Sequence, residues 1–270
     1  MNESTFKRRL NKDEWSNGYG YLFEGKKLER EKDRAIIKLT FVRHGEKELT
    51  SGSETALTKR GIFEAAVLGT KRDEKDTFSI NYSPTDRTKL TGEIANLSEK
   101  LHGEIKEEAS LGVKNNFSKE YLEQLLDIKR KMLPEDISTI TSDQKKEIDE
   151  QVTRQQLAEY LKHGTHRPDD ETLSPAEMAE KIPTIIKKYE SEINNRNKYE
   201  SNSIHEVLNI THDIVIASFL NKYLPDYDQT NIRPGEGFEI IIKGQGVGDD
   251  NDKIGLTLVF RGKEYPLDIN

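Results

Sequence analysis

Eight residues, Ala35-Ile36-Ile37-Lys38-Leu39-Thr40-Phe41-Val42, run without a break into Arg43-His44-Gly45. Their length and apolar content predict a buried strand. Two more runs have the same character. Phe78-Ser79-Ile80-Asn81-Tyr82 leads into Ser83-Pro84-Thr85-Asp86-Arg87-Thr88-Lys89-Leu90-Thr91. Val207-Leu208-Asn209-Ile210-Thr211 ends at His212-Asp213, ahead of a helical pattern over Ile214-Val215-Ile216-Ala217-Ser218-Phe219-Leu220. Strands followed by helices predict an α/β fold. If the three strands are parallel neighbours, Arg43-His44, the turn carrying Arg87 and His212-Asp213 converge at one edge of the sheet. In open α/β sheets, ligands bind at that edge.

The residue types gathered there suit one chemistry. Gly45 lets the chain turn sharply after the strand and approach a ligand closely. An imidazole can act as a nucleophile, and guanidinium groups hold phosphate oxygens through forked, charge-assisted hydrogen bonds. The combination fits a phosphate monoester, whose transferring group spreads charge over three oxygens.

These motifs together resemble the histidine phosphatase superfamily, the phosphoglycerate mutase-like group. The nucleophile motif of that group matches Arg43-His44-Gly45. Its serine-proline, arginine, threonine motif matches Ser83-Pro84 with Arg87 and Thr91, and its second histidine matches His212. Ala56-Leu57-Thr58-Lys59-Arg60-Gly61 resembles the start of the family's first helix. Glu108-Ala109-Ser110-Leu111-Gly112 resembles the segment that carries the acid in the mutase branch. The matches cover roughly residues 36–112 and 172–245. The resemblance implies a three-layer α/β sandwich with a mostly parallel central sheet, helices on both faces and an inserted helical cap. It implies a phosphomonoesterase acting through a phosphohistidine on His44, with Arg43, Arg87 and His212 holding the phosphate. No metal and no organic cofactor is implied. For the proton donor it leaves two candidates. Glu108 matches the mutase-branch position and is preferred, because much of the chain otherwise resembles that branch. Asp213 matches the histidine-aspartate pair of the acid-phosphatase branch. Glu46 is a poorer third, suited to a substrate or water contact.

Two other functions remain open. A phosphoglycerate mutase is disfavoured, because Glu46-Lys47-Glu48-Leu49-Thr50-Ser51-Gly52-Ser53 lacks the asparagine and tryptophan that mutases of the family carry after the nucleophile. A catalytically inactive phosphate-binding or scaffold protein would keep the motif but lose the acid or close the cleft.

Composition narrows the class further. The 270-residue chain has no cysteine, which excludes disulfides and thiolate chemistry, and its net charge of −7 argues against a nucleic-acid partner. A few convergent cations can still make one cleft positive in an acidic protein. The N-terminus lacks the apolar stretch of a signal peptide, and no segment reaches membrane-spanning length. The expectation is a cytoplasmic enzyme acting on a small phosphorylated metabolite or on phosphohistidine, with no membrane partner.

Residues 1–34, with Trp15, Tyr19, Tyr21 and Phe23, are expected to form an extension packed on a single domain of residues 35–270, or else a tail. Helical spacing recurs from Gly92 through Ile94, Leu97 and Leu101. The charged stretch 113–170 is expected to form the cap. One of its helices runs from about Tyr121 to Pro134 and a second spans Ile148 to Leu161. Its basic residues Lys114, Lys119 and Arg167 are expected at the pocket rim, where they would favour a substrate with a second anionic group. Ser174-Pro175-Ala176-Glu177 is a capping box opening a helix through about Tyr189. Gly237–Ile242 and Ile254–Phe260 predict two strands joined by a Gly/Asp-rich turn. His163-Gly164-Thr165-His166 with Asp169 and Asp170 has metal-compatible residue types, but its glycine and Pro168 predict a solvated loop.

Overall fold

A computed structural model describes residues 28–31, 34–47, 57–69, 77–98, 103–113, 116–133, 140–194, 202–224, 227, 232–244 and 254–269. Most of the N-terminal extension, Lys114 and most of the turn before Ile254 lie outside these residues, as does the stretch 48–56 that bears on a mutase. The first run forms β1 (Ile36–Arg43), the central strand of a seven-stranded sheet. The other strands are β2 (Thr77–Tyr82), β3 (Glu104–Glu107), β4 (Ile204–Thr211), β5 (Gly237–Lys243), β6 (Gly255–Phe260) and β7 (Lys263–Pro266), in the order β3-β2-β4-β1-β5-β6-β7. The first four pair in parallel, while β5, β6 and β7 continue the sheet beyond β1 as an antiparallel meander. Five strands therefore share one direction, and the parallel centre expected from the sequence is present.

The side chains of β1 divide between two layers. Ile37, Leu39 and Phe41 pack with α6 (Lys181–Asn194) and α7 (Asp213–Tyr223) in the larger core. On the other face Val42 packs with Ile80, Ala95, Leu208 and Ile210, where α1 (Lys59–Gly69) and α2 (Asp86–Ser98) lie. Burial on both faces is why β1 reads as a nearly continuous apolar run. The charge in its middle, Lys38, is 7% exposed and ion-paired with Glu206 of β4.

Register brings the motifs together. Arg43 is opposite Thr211 across β1 and β4, and Tyr82 is opposite Ile210 across β2 and β4. The chain continues this pairing past the strands: His44 N–H donates to the Thr211 carbonyl (3.1 Å) and Ser83 N–H to that of Ile210 (3.0 Å). His44, Ser83 and His212 therefore leave the sheet side by side.

The 113–170 stretch contains the two expected helices, α3 (Lys119–Met132) and α4 (Ser142–Leu161). Elsewhere the structure departs from expectation. The helix expected from Gly92 starts at Asp86. The Ser174 capping box forms, but its helix stops after one short segment, α5 (Pro175–Ala179), and restarts as α6. Pro183 is the reason, since it has no N–H to donate and its ring would collide with the carbonyl four residues back. Strands β3 and β7 were not expected; their sequences, Glu-Ile-Lys-Glu and Lys-Glu-Tyr-Pro, are charged edge strands without an apolar pattern.

Candidate active site

The loop leaving β1 is held by direct backbone contact with α1. A β-carbon on Gly45 would lie 2.5 Å from the Gly61 carbonyl oxygen, and one on Gly61 would lie 2.1 Å from that of Glu46. Only glycine at both positions permits this approach, which explains the Leu57–Gly61 motif physically. Thr58 N–H donates to the Glu46 carbonyl (3.0 Å), and its hydroxyl donates to the Glu46 carboxylate (2.7 Å). From the next turn of α1, the fully buried Glu64 accepts Glu46 N–H (2.9 Å) and Arg60 Nε–H (3.0 Å). Gly45 N–H donates to Thr91 Oγ1 (3.2 Å), and that hydroxyl donates to the Arg87 carbonyl (2.7 Å). The loop is thus tied to both helices on one face of the sheet.

The hydrogen bonds fix both histidine tautomers. His44 Nδ1 lies 2.7 Å from the Gly45 carbonyl, which can only accept, so Nδ1 carries the proton and Nε2 keeps its lone pair. An Arg87 N–H donates to His212 Nδ1 (3.2 Å); an arginine can only donate, so the His212 proton is on Nε2, which donates to Ser83 Oγ (3.0 Å). Ser83 in turn donates to Thr88 (3.1 Å), giving the serine-proline motif a structural task at the second strand end. The two imidazoles meet edge to face at 5.3 Å between centroids. Burial first, then His212, Arg87 and Arg43, drives the His44 pKa well below its ordinary value. Burial and then Arg87 lower that of His212 to about 3. Both rings are neutral at physiological pH.

Arg43 donates to the Ile232 carbonyl (2.7 Å) and pairs with Asp213 (3.1 Å). Its Nε is buried with no hydrogen-bond partner among the described residues. Burial alone would raise the Asp213 pKa, but Arg43 and His212 outweigh it and hold the carboxylate low. The three acid candidates are separated by position. Asp213 lines the cleft described below. Glu108 does not: it caps a short turn at Ala109–Leu111, accepting from Ser110 N–H (3.3 Å) and Ser110 Oγ–H (2.5 Å), with Lys188 3.4 Å away. Against the burial that would raise its pKa, Ser110 and then Lys188 bring it down. Glu46 is occupied by Thr58 and is likewise absent from the cleft wall.

A cleft of about 760 Å³ opens between the strand ends and the helical cap. Arg43, Arg87, His212 and Asp213 contribute to its wall, whereas His44 lies beside them as a buried residue, 4% exposed. Lys47 also lines it, a residue that motif matching passed over. It lies three positions after the nucleophile on the same loop, and a cation so close to Arg-His-Gly was the signal available. Solvent reaches Lys47 through the cleft, yet crowding by protein and then Arg87 lower its pKa, with Asp213 opposing. From the cap come Lys119 and Lys129, accompanied by Asp149 and by Glu171. Arg167 is not there; its guanidinium grips Glu177 through Nε at 2.9 and 3.0 Å. The 163–170 segment is a loop. Asp169 accepts from the Ser118 hydroxyl (2.6 Å) and Thr172 N–H (2.7 Å), and no cluster able to hold a metal occurs among the described residues.

A parallel sheet that delivers Arg-His-Gly from its central strand, with a second arginine and a second histidine beside it, is the arrangement that the resemblance to the histidine phosphatase superfamily implied. Several solved structures resemble this chain at low sequence identity. One is a phosphoglycerate mutase from Bacillus anthracis, 17% identical, with 88% of this chain and 94% of that one covered and a TM-score of 0.46. A mycobacterial glucosyl-3-phosphoglycerate phosphatase is 14% identical over 84% of this chain and 100% of its own, with a TM-score of 0.47. An alpha-ribazole phosphatase from Shigella flexneri is 16% identical over 83% and 94%, at 0.44. No protein-family model matches the chain, and no curated protein does. No helix among the described residues is long and apolar enough to cross a membrane.

Proposed function

We propose that the protein is a phosphomonoesterase that works through a phosphohistidine on His44. The observation that carries this reading is the state of His44: neutral, with Nδ1–H committed to the Gly45 carbonyl and the Nε2 lone pair kept for attack, beside two arginines and a second histidine. Nε2 attacks phosphorus in line, and the P–O bond to the leaving group breaks. Arg43 and Arg87 hold the equatorial oxygens, with Lys47 as a further contact; for His212 to join them its proton moves to Nδ1 as the dianion draws Arg87 away, and the Ser83 hydroxyl turns to donate to Nε2. Position favours Asp213 over Glu108 as the acid. A bound dianion gives Arg43 a competing partner and repels the carboxylate, and both effects raise the Asp213 pKa towards that of a working acid. Asp213 then protonates the leaving oxygen. As a carboxylate, it takes a proton from the water that attacks phosphohistidine, releasing phosphate and restoring His44.

Burial of His44 favours one other reading, a protein that binds phosphate esters without turning them over. Incubation with p-nitrophenyl phosphate separates the two. The expected result is phosphate release by the native protein, with acid-labile, base-stable phosphate trapped on His44 after rapid quenching, and loss of both in His44→Ala. Equal rates from the two proteins, or turnover without trapped phosphate, would overturn the covalent route.

A further inference from the structure

The cleft is chemically two-ended. Its sheet end is cationic and polar, formed by Arg43, Arg87, Lys47, His212 and Asp213. Its cap side carries Val113, Phe117, Leu122, Leu125, Leu126 and Val152. Leu122 and Leu126 lie one turn apart on α3 and are 43% and 42% exposed, two of four large apolar side chains so exposed among the described residues. Their neighbour Tyr121 is buried, so the helix already gives one face to the core and holds these two leucines out to the cleft. A stripe of exposed leucines costs hydration free energy unless something apolar covers it. The cavity is also far larger than a phosphoryl group needs, and its volume falls within the roughly 300–1,000 Å³ usual for sites that enclose an organic ligand. The cations at the cap side, Lys119 and Lys129, share it with Asp149 and Glu171, so it offers little net charge to a second anion.

We infer that the substrate is an amphiphilic phosphomonoester, whose phosphate meets the strand ends and whose hydrocarbon or aromatic body lies against Leu122, Leu126 and Phe117. This assignment rests on the proposed phosphatase reading for the position of the phosphate. Continuity argues for it: apolar wall and cationic floor belong to one cavity, so a molecule anchored at one end is carried onto the other.

Straight-chain alkylphosphonates from methyl to octyl test it without any turnover, because their C–P bond is not hydrolysed. Affinity should tighten by roughly two- to fourfold per methylene over the first several carbons, fourfold being the limit for a fully buried CH₂. In a Leu122→Ser/Leu126→Ser double variant this slope should flatten while methylphosphonate affinity stays the same, which also shows that the variant is folded. Affinity independent of chain length in the native protein, or an unchanged slope in the variant, would overturn the inference. Chain-length-dependent binding without turnover of p-nitrophenyl phosphate would instead overturn the phosphatase reading and leave the apolar subsite standing. Failure of every phosphonate to bind would overturn both.

Discussion

At the scale of single residues, the charge of Lys47 is opposed within the candidate site: protein crowding and then Arg87 lower its pKa, and Asp213 and Asp149 offset this only in part. An arriving phosphate dianion relieves this opposition. Lys47→Met should therefore weaken the enzyme for p-nitrophenyl phosphate through KM, with kcat/KM falling about 10- to 100-fold, the equivalent of a charged hydrogen bond of roughly 1.5–3 kcal/mol. Unfolding in urea should show the unliganded variant no less stable than the native protein. A variant with unchanged KM would remove Lys47 from the site. The Arg43, His44, Arg87 and His212 set was legible because each belongs to a short motif at a strand end. Lys47 was not, because its significance depends on where its side chain goes after the turn.

At the scale of elements, the junction between β1 and α1 depends on one buried carboxyl. Glu64 joins helix to loop, and burial raises its pKa to about 7, against the hydrogen bonds from Glu46 N–H and Arg60. A raised pKa means that the folded protein retains a proton that the unfolded chain releases. The contribution of this group to stability is fully present below about pH 4.5 and is lost as pH rises through about 7. Glutamine mimics the protonated form and does not titrate. The stability of Glu64→Gln relative to the native protein should improve by about 2–3 kcal/mol between pH 4.5 and 8, measured by urea unfolding at each pH. A difference constant across that range would show that Glu64 does not titrate there. In sequence, Glu64 was just one more acidic residue in a helix that also holds Lys59 and Arg60. Elements with a strong apolar period were readable, including β1, β4, α3 and the strands of the C-terminal hairpin. The break at Glu180 and the edge strands were not, since a proline inside an apolar helical pattern and two short, charge-rich segments carry no periodic signal.

At the scale of the whole molecule, a chain of net charge −7 has to attract a dianion. The local field decides if the cleft cations are closer to the ligand than the distributed acidic surface, and added salt reveals which field dominates. The Debye length falls from about 30 Å at 0.01 M salt to about 10 Å at 0.1 M. If the cleft dominates, kcat/KM for p-nitrophenyl phosphate should fall severalfold across that range with kcat nearly constant; a rise would mean that the global charge governs encounter. By itself, the sequence determined that strands alternate with helices, that three strands end in residues able to handle phosphate, and that a charged helical insertion follows the second of them. These are local facts, carried by periodicity and by residue identity at strand ends. The tertiary structure alone decided which acid stands at the cleft, that Lys47 joins the cations and Arg167 does not, and that the cap presents leucines beside charges of both signs. Those outcomes follow from strand register and from the rotation of α3 about its own axis, which depend on contacts between residues far apart in the chain.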